Sequence, residues 1–234
     1  LSLVGYVATR WLGAGKGAAL TGITGGFVSS TAVTLSFARR SREQGPSADG
    51  DAFACGILLS WAVMFVRVLI EVLVVNPRLL GPIAPPFAAM GAAAGLLAWR
   101  HYRRATTTSL DGGEVILRSP FSLTEAAKFA FVFAVVLVVF RFAERHAPGG
   151  GQLLVAGLAG LTDVDAVTLS MAKFARDGGS ADTATAAIVI ASMTNTLVKC
   201  GLAAVLGTRA LRRRVFVGTL AILGVALVTA VVIC

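Results

Sequence analysis

The segment Ala32-Val33-Thr34-Leu35-Ser36 returns unchanged as Ala166-Val167-Thr168-Leu169-Ser170, 134 residues later. At the same spacing Gly26 falls on Gly160, Ala38 on Ala172 and the basic Arg39 on Lys173. Upstream, Gly22, Gly25 and Gly26 face Gly157 and Gly160 with small offsets. Both copies lie inside apolar stretches of membrane-spanning length. A fixed-period self-match of this kind marks a duplicated unit, and in a membrane protein it points to related polar segments in the two halves. That pattern places a transport or permeation site between the two repeat motifs.

Composition decides the environment. Hydrophobic residues make up 56% of the 234 and charged residues 14%, whereas a soluble domain carries roughly 25% charged residues. Mean hydropathy is +0.80. The 21 Lys and Arg against 12 Asp and Glu leave a net charge of +9, which in a soluble chain would raise nucleic acid as a partner. Here the charges fall between apolar runs, as loop anchors at lipid headgroups do. No phosphate-binding motif or base-stacking aromatic patch is present, so nucleic acid is set aside. Cys55, Cys200 and Cys234 lie in apolar runs without metal-ligand spacing and read as packing residues. No cofactor is expected.

Apolar segments lie near 1–12, 17–38, 52–75, 82–100, 121–143, 151–173, 183–208 and 215–234. All but the first approach the roughly 20 residues that cross a hydrocarbon core. In the repeat alignment the stub 1–12 matches the end of segment 121–143. Leu1 is therefore expected inside a helix that begins upstream, and no cleavable signal peptide is visible at this start. The expected organisation is a first repeat over 1–105, a linker over 106–120 and a second repeat over 121–234. Asp111-Gly112-Gly113 signals a turn in the linker, Ser119-Pro120 blocks helix continuation, and Ser122 with Glu125 forms a capping box. Pro82, Pro85 and Pro86 mark the mouth of the fourth segment.

The expected fold is all-α: a polytopic integral membrane helix bundle of two repeats of about four helices each, with glycine-rich motif helices open to breaking. Four crossings per half would give the two copies the same orientation, and we favour that parallel arrangement. If the motif segment does not fully cross, the count is odd and the halves are inverted. Arg39, Arg40, Arg42, Arg100, Arg103 and Arg104 on one predicted side balance Arg209, Arg212, Arg213 and Arg214 on the other, so the positive-inside rule casts no vote.

Aligned motifs place Ser29 on Asp163 and Thr31 on Asp165. One copy is neutral where the other carries two carboxylates. A regular helix would point Asp163 and Asp165 about 200° apart, whereas unwinding at Gly160 and Thr162 would let side chains and freed carbonyls converge. Asp165 with Thr168, and Thr31 with Thr34, share a face at a spacing of three. The plainer reading is that Asp163 caps a helix starting near Val164 and that Ser, Thr and Gly serve close packing. Against it stands the cost of a carboxylate at membrane depth unless paired or cation-bound.

The next segment of each half adds Arg67 with Glu71, and Asn195 with Lys199, each at a spacing of four. Arg67 and Lys199 align if a short gap is allowed. Structurally, Arg67 would be neutralised by Glu71 and Lys199 would serve as counter-ion to Asp163 and Asp165. Functionally, these cations would occupy an empty cation site or hold an anion. Arg141 reads as a snorkelling residue at a segment end, and His101 and His146 sit among loop charges without metal-ligand partners.

These motifs, Gly25 through Thr34, Gly160 through Thr168 and Asn195-Thr196-Leu197-Val198-Lys199, resemble the bacterial membrane domain that commonly follows an MgtC/SapB-type domain. The resemblance covers nearly the whole chain. It implies a multi-pass protein of the bacterial inner membrane, an upstream MgtC-like domain in the same protein, and an association with magnesium that comes from that neighbouring domain.

Two function classes follow. One is a transporter or permease for a small ion, with Asp163 and Asp165 as carboxylates that could ligate a metal, Thr168 and Asn195 as neutral oxygen ligands, and Ser29, Ser30, Thr31 and Thr34 as the facing wall. A hard divalent cation such as Mg²⁺ suits oxygen donors. The other is a non-transporting regulatory or assembly subunit, in which buried charge only fixes helix register. An anion carrier using Arg67 and Lys199 is a further alternative. No nucleophile and base stand at catalytic spacing, so an enzyme is not expected. The partners expected are the lipid bilayer and a small ion, with a homo-oligomer left open.

Overall fold

The computed structural model describes residues 17–45, 50–105, 134, 138 and 151–233. The stub 1–12 with its expected helical Leu1, the linker 106–120, the Ser122 and Glu125 box, segment 121–143 with Arg141 (apart from residues 134 and 138), His146 and Cys234 lie outside the described residues.

Among the described residues the chain is helical, with no strand: α1 (Gly17–Glu43), α2 (Gly50–Val75), a 3₁₀ turn (Pro77–Leu79), α3 (Leu80–Tyr102), α4 (Gly151–Gly160), α5 (Val164–Arg176), α6 (Ala181–Leu206) and α7 (Arg209–Ile233). The turn plus α3, together with α1, α2 and α6, gives four segments long and apolar enough to cross a membrane. Their faces, and that of α7, carry large exposed apolar side chains, among them Val74, Leu96, Val205 and Leu220. Water would penalise such a surface, whereas lipid accepts it. The protein is an integral membrane protein.

Helix α3 starts at Leu80, so Pro82 lies in its first turn, at the mouth as expected, but the other two prolines do not mark it. Pro85 and Pro86 lie inside it and remove the hydrogen bonds that Gly81 and Pro82 carbonyls would accept from residues four positions on. Gly45 (φ 69°) closes α1 in the left-handed conformation that favours glycine.

The described residues form two compact units. The first takes those within Leu1–Arg67, Ala89–Pro120 and Lys199–Val225; the second takes those within Val68–Ala88, Phe121–Val198 and Ala226–Cys234. Each unit draws on both sequence halves.

In the first unit α1 reaches spanning length only because two half-helices are joined at Ser29, whose backbone is extended (φ −162°, ψ 108°). Contacts along α2 show what the break does. A Cβ on Gly22 would strike the Gly56 backbone, and one on Gly26 would lie 2.9 Å from Ser60 Cα and 3.1 Å from Val63 Cβ. Arg67 Nη1 reaches the Gly26 carbonyl. Past the break, Thr34 meets Trp61, and Phe37 packs on Phe53 and lies against Gly56. The register on α2 thus climbs from Gly56 to Arg67 and then falls back to Phe53. The segment enters, turns at Ser29 and returns to the end it came from. Each half is about 18–21 Å long at 1.5 Å per residue, well short of a roughly 30 Å hydrocarbon core.

This fold-back corrects the parallel arrangement. Within the first unit α2 runs away from Asp51 toward Met64. Its repeat counterpart α6 runs from Lys199, whose Nζ lies against Met64 Sδ, toward Thr208, whose N–H donates to Ser41 Oγ at the end of α1. Equivalent helices therefore run in opposite senses, and the repeat is inverted. The motif segment does not cross, which is the condition for an odd count.

The same contacts overturn the even split of arginines. Arg214 grips Asp51 with two bonds (2.9 and 2.7 Å), and His101 Nδ1 lies 2.6 Å from Asp51 Oδ1. The end of α1, the start of α2, the end of α3 and the start of α7 therefore meet at one end of the first unit. All ten arginines that the sequence pattern divides between two sides gather there. His101, a loop charge by sequence, is buried at the end of α3.

Candidate functional site: two capped helix breaks

Each motif builds its break from the same parts. In the second unit the break occupies residues 161–163, between α4 and α5. Asp163 is extended (φ −154°, ψ 115°), and its Oδ1 accepts the N–H groups of Asp165 (2.9 Å) and Ala166 (3.4 Å). In the first unit, Ser29 is equally extended, and its Oγ accepts from Ala32 N–H at 3.2 Å. Ser29 and Asp163 are aligned residues with one shared role, in which a side-chain oxygen satisfies amides that a new helix start leaves open. In hydrocarbon those amides have no water to turn to. The capping reading of Asp163 therefore holds, and so does unwinding next to Gly160.

Before each break stands a glycine pressed on the following helix. A Cβ on Gly160 would lie 2.6 Å from Ala191 Cα, just as one on Gly26 would meet Ser60. Only hydrogen fits at such an approach. The carbonyl of each glycine, freed by the break, is taken by a donor from that helix: Arg67 Nη1 on Gly26 O (3.3 Å) and Asn195 Nδ2 on Gly160 O (3.1 Å).

The pairing of Ser60 with Ala191 puts counterparts in the second helices 131 positions apart. Trp61 then matches Ser192, Met64 matches Asn195, and Arg67 matches Val198. Arg67 and Lys199 are not counterparts. By the carbonyl it serves, the partner of Arg67 is Asn195, one turn earlier and with a shorter reach.

Around the first break the structure gathers Ser29, Ser30, Thr34, Trp61, Met64, Arg67 and Lys199. Lys199 has a relative exposure of 0%. Its Nζ donates to Ser30 Oγ (3.0 Å) and Met64 Sδ (2.7 Å), and lies 5.6 Å from the Trp61 ring centroid. The Lys199 amine thus touches a hydroxyl, a thioether and an indole face. Trp61 Nε1 donates to Thr34 Oγ1 (3.0 Å), whose hydroxyl donates to Ser30 O (2.8 Å). Thr31 is half-buried beside them. Around the second break stand Asp163, Asp165, Thr168 and Asn195. Thr168 Oγ1 donates to Val164 O, as Thr34 does one copy earlier. Ser192, where the first copy has Trp61, is fully buried, and its Oγ has no hydrogen-bond partner among the described residues. Glu71 belongs to the second unit, one turn beyond Arg67 on α2.

Sequence reasoning missed Trp61, Met64 and the Asp51, His101 and Arg214 clamp. Trp61 and Met64 are three apart, on the face of α2 that carries Arg67 three further on, and that spacing was the available signal. In the second unit Asn76 Nδ2 donates to Ala172 O (3.4 Å) and Arg176 Nη1 to Val75 O (3.4 Å), tying the end of α5 to the end of α2. At that end Lys173 donates to Asp177 (2.9 Å), which holds this exposed carboxyl below its ordinary value. Among the described residues no group of three or more His, Cys, Asp or Glu stands within reach of one metal ion.

An uncharacterised protein of Aquifex aeolicus (strain VF5) is 32% identical over 198 residues, covering 82% of this chain and 84% of the relative. No solved structure matches. Neither this relative nor the matching family model carries an association with MgtC/SapB-type domains. The model that matches is "Domain of unknown function (DUF4010)", over residues 1–207, and the chain belongs to that family.

Proposed function

We propose that this chain is a small-ion transporter or permease of the bacterial inner membrane, working without an enzymatic step, and that the two capped breaks are its ion-handling elements. One observation carries the reading: each inverted copy interrupts a motif helix next to a close-packed glycine, in a chain otherwise built for lipid. A membrane protein keeps irregular backbone at depth only where it is enclosed or lines a cavity. Inverted repeats with broken helices are the recurring way to present half-helix ends and carbonyls to an ion. A bundle that served only as an assembly subunit would gain nothing from breaking the same helix twice.

For a hard cation such as Mg²⁺ the donors are Asp165, Thr168 and Asn195, because Asp163 spends one oxygen on its cap. The anion reading rests on a specific observation in the other copy. There a neutral serine caps the half-helix start, and the Lys199 amine lying on Ser30 offers an anion a donor. The upstream MgtC-like domain belongs to the same proposal and would favour magnesium.

Liposomes containing the purified chain test it by Mg²⁺, proton and small-anion flux. Mg²⁺ flux lost in Asp165→Asn supports the cation reading, and anion flux lost in Lys199→Met supports the anion reading. Flux of every species equal to that of empty vesicles would refute transport and leave the subunit role.

A further inference from the structure

The arginine end of the first unit is assembled only by folding. Arg39, Arg40 and Arg42 close α1, Arg100, Arg103 and Arg104 close α3, and Arg209, Arg212, Arg213 and Arg214 open α7, with contacts to Asp51 and Ser41 holding these termini together. Apart from Arg40 and Arg214 all are exposed. Among the described residues the acids at these termini are Glu43 and Asp51, and Asp51 is already held by Arg214 and His101. Exposed Trp99 and Tyr102 stack at 6.2 Å between centroids beside Arg100 and Arg103. Aromatic rings of this kind collect at the headgroup level of a bilayer. Among the described residues the second unit's own helix ends are nearly balanced, with Arg78, Lys173 and Arg176 against Asp177 and Asp182.

We propose that this end is an anionic-lipid face: it lies in the cytoplasmic leaflet, binds phosphate headgroups, and makes the first fold-back open toward the cytoplasm. Guanidinium groups match phosphate oxygens in pairs. Their place at the rim of exposed apolar faces, next to interfacial aromatics, favours a lipid over a soluble acidic partner. The excess of arginine at one end also sets orientation, since Lys and Arg near span ends stay on the cytoplasmic side.

Two measurements decide it. In intact cells, with Cys55, Cys200 and Cys234 changed to Ala, a membrane-impermeant maleimide should label Gly81→Cys, at the start of α3, from outside. It should label Gln44→Cys only after permeabilisation. Labelling of Gln44→Cys from outside overturns the proposal. Native mass spectrometry from nanodiscs of equal phosphatidylglycerol and phosphatidylcholine should show phosphatidylglycerol enriched about fivefold in the retained lipid, the preference one arginine contact supplies. The enrichment should fall toward unity when Arg100, Arg103, Arg104, Arg209, Arg212 and Arg213 become Gln, and it should survive Arg78→Gln. A milder variant, Arg209, Arg212 and Arg213→Gln, should lie between, and it serves if the sixfold variant does not fold. Equal retention in wild type and variants overturns lipid binding and points to an acidic protein partner.

Discussion

Replacing Asp163 separates a capping carboxylate from an ion ligand. Its Oδ1 holds two amides, one at 2.9 Å and one at 3.4 Å. Asp163→Ala removes a cap worth about 1 kcal/mol and strands amides that cost about 1–3 kcal/mol when no water replaces the partner. A net loss of about 2 kcal/mol corresponds to about 4–8 °C in melting temperature for a chain of this size. Asp163→Asn keeps an acceptor oxygen and forfeits only the charge facing the start of α5, about 0.5–1 kcal/mol, or about 1–4 °C. Ser29→Ala, losing a single neutral contact at 3.2 Å, should cost about as much as the Asn change. The assay is thermal unfolding of the purified variants in one detergent, paired with flux in liposomes. Should Asn destabilise as much as Ala, with Ser29→Ala silent, the equivalence of the two caps would be wrong. Flux kept in Asp163→Asn fits a cap; flux lost with stability intact would make Asp163 an ion ligand.

Further expectations follow from single contacts. Gly160→Ala forces a methyl onto the Ala191 backbone and should cost about 1–3 kcal/mol as overpacking, read as a lowered unfolding midpoint, with Gly26→Ala behaving alike. Gly95→Ala, which meets nothing within 4 Å, should be silent. Asn195→Ala leaves the Gly160 carbonyl to find another donor and should cost about 1–3 kcal/mol, whereas Asn195→Gln should recover part of it. Because the folded pKa of Asp177 is depressed by the Lys173 hydrogen bond, its stabilising effect is complete above about pH 4, the unperturbed carboxyl value. It is lost as pH falls through the lower folded value. Carboxyl-carbon NMR should find Asp177 titrating below its ordinary value, and Lys173→Met should return it upward.

The repeat and the membrane setting were readable because identical strings and apolar length need no tertiary information. The break near Gly160 was readable too, since Gly160, Thr162 and Asp163 combine helix-breaking and capping chemistry. Its twin at Ser29 was hidden: Ser29-Ser30-Thr31 continues an apolar helical pattern, and nothing local says that the chain reverses there. Once that reversal is missed, the parity of crossings goes wrong, the copies look parallel, and the arginines divide between two sides. Arg67 was mispaired with Lys199 because charge was matched with charge, while the fold matches donors by the carbonyl they serve. The Asp51 clamp joins residues 50 and 163 positions apart, a span that one sequence cannot bridge.

Serine and aspartate are interchangeable as acceptors, and that has a consequence for how such proteins could diversify. A break held by any short oxygen-bearing side chain lets formal charge at the break change through a single substitution while the backbone stays put. The recurring motif has two such positions, 29 and 163, and its copies already differ there by one formal negative charge. Exchange at either place offers a route to a new ionic preference without a new scaffold.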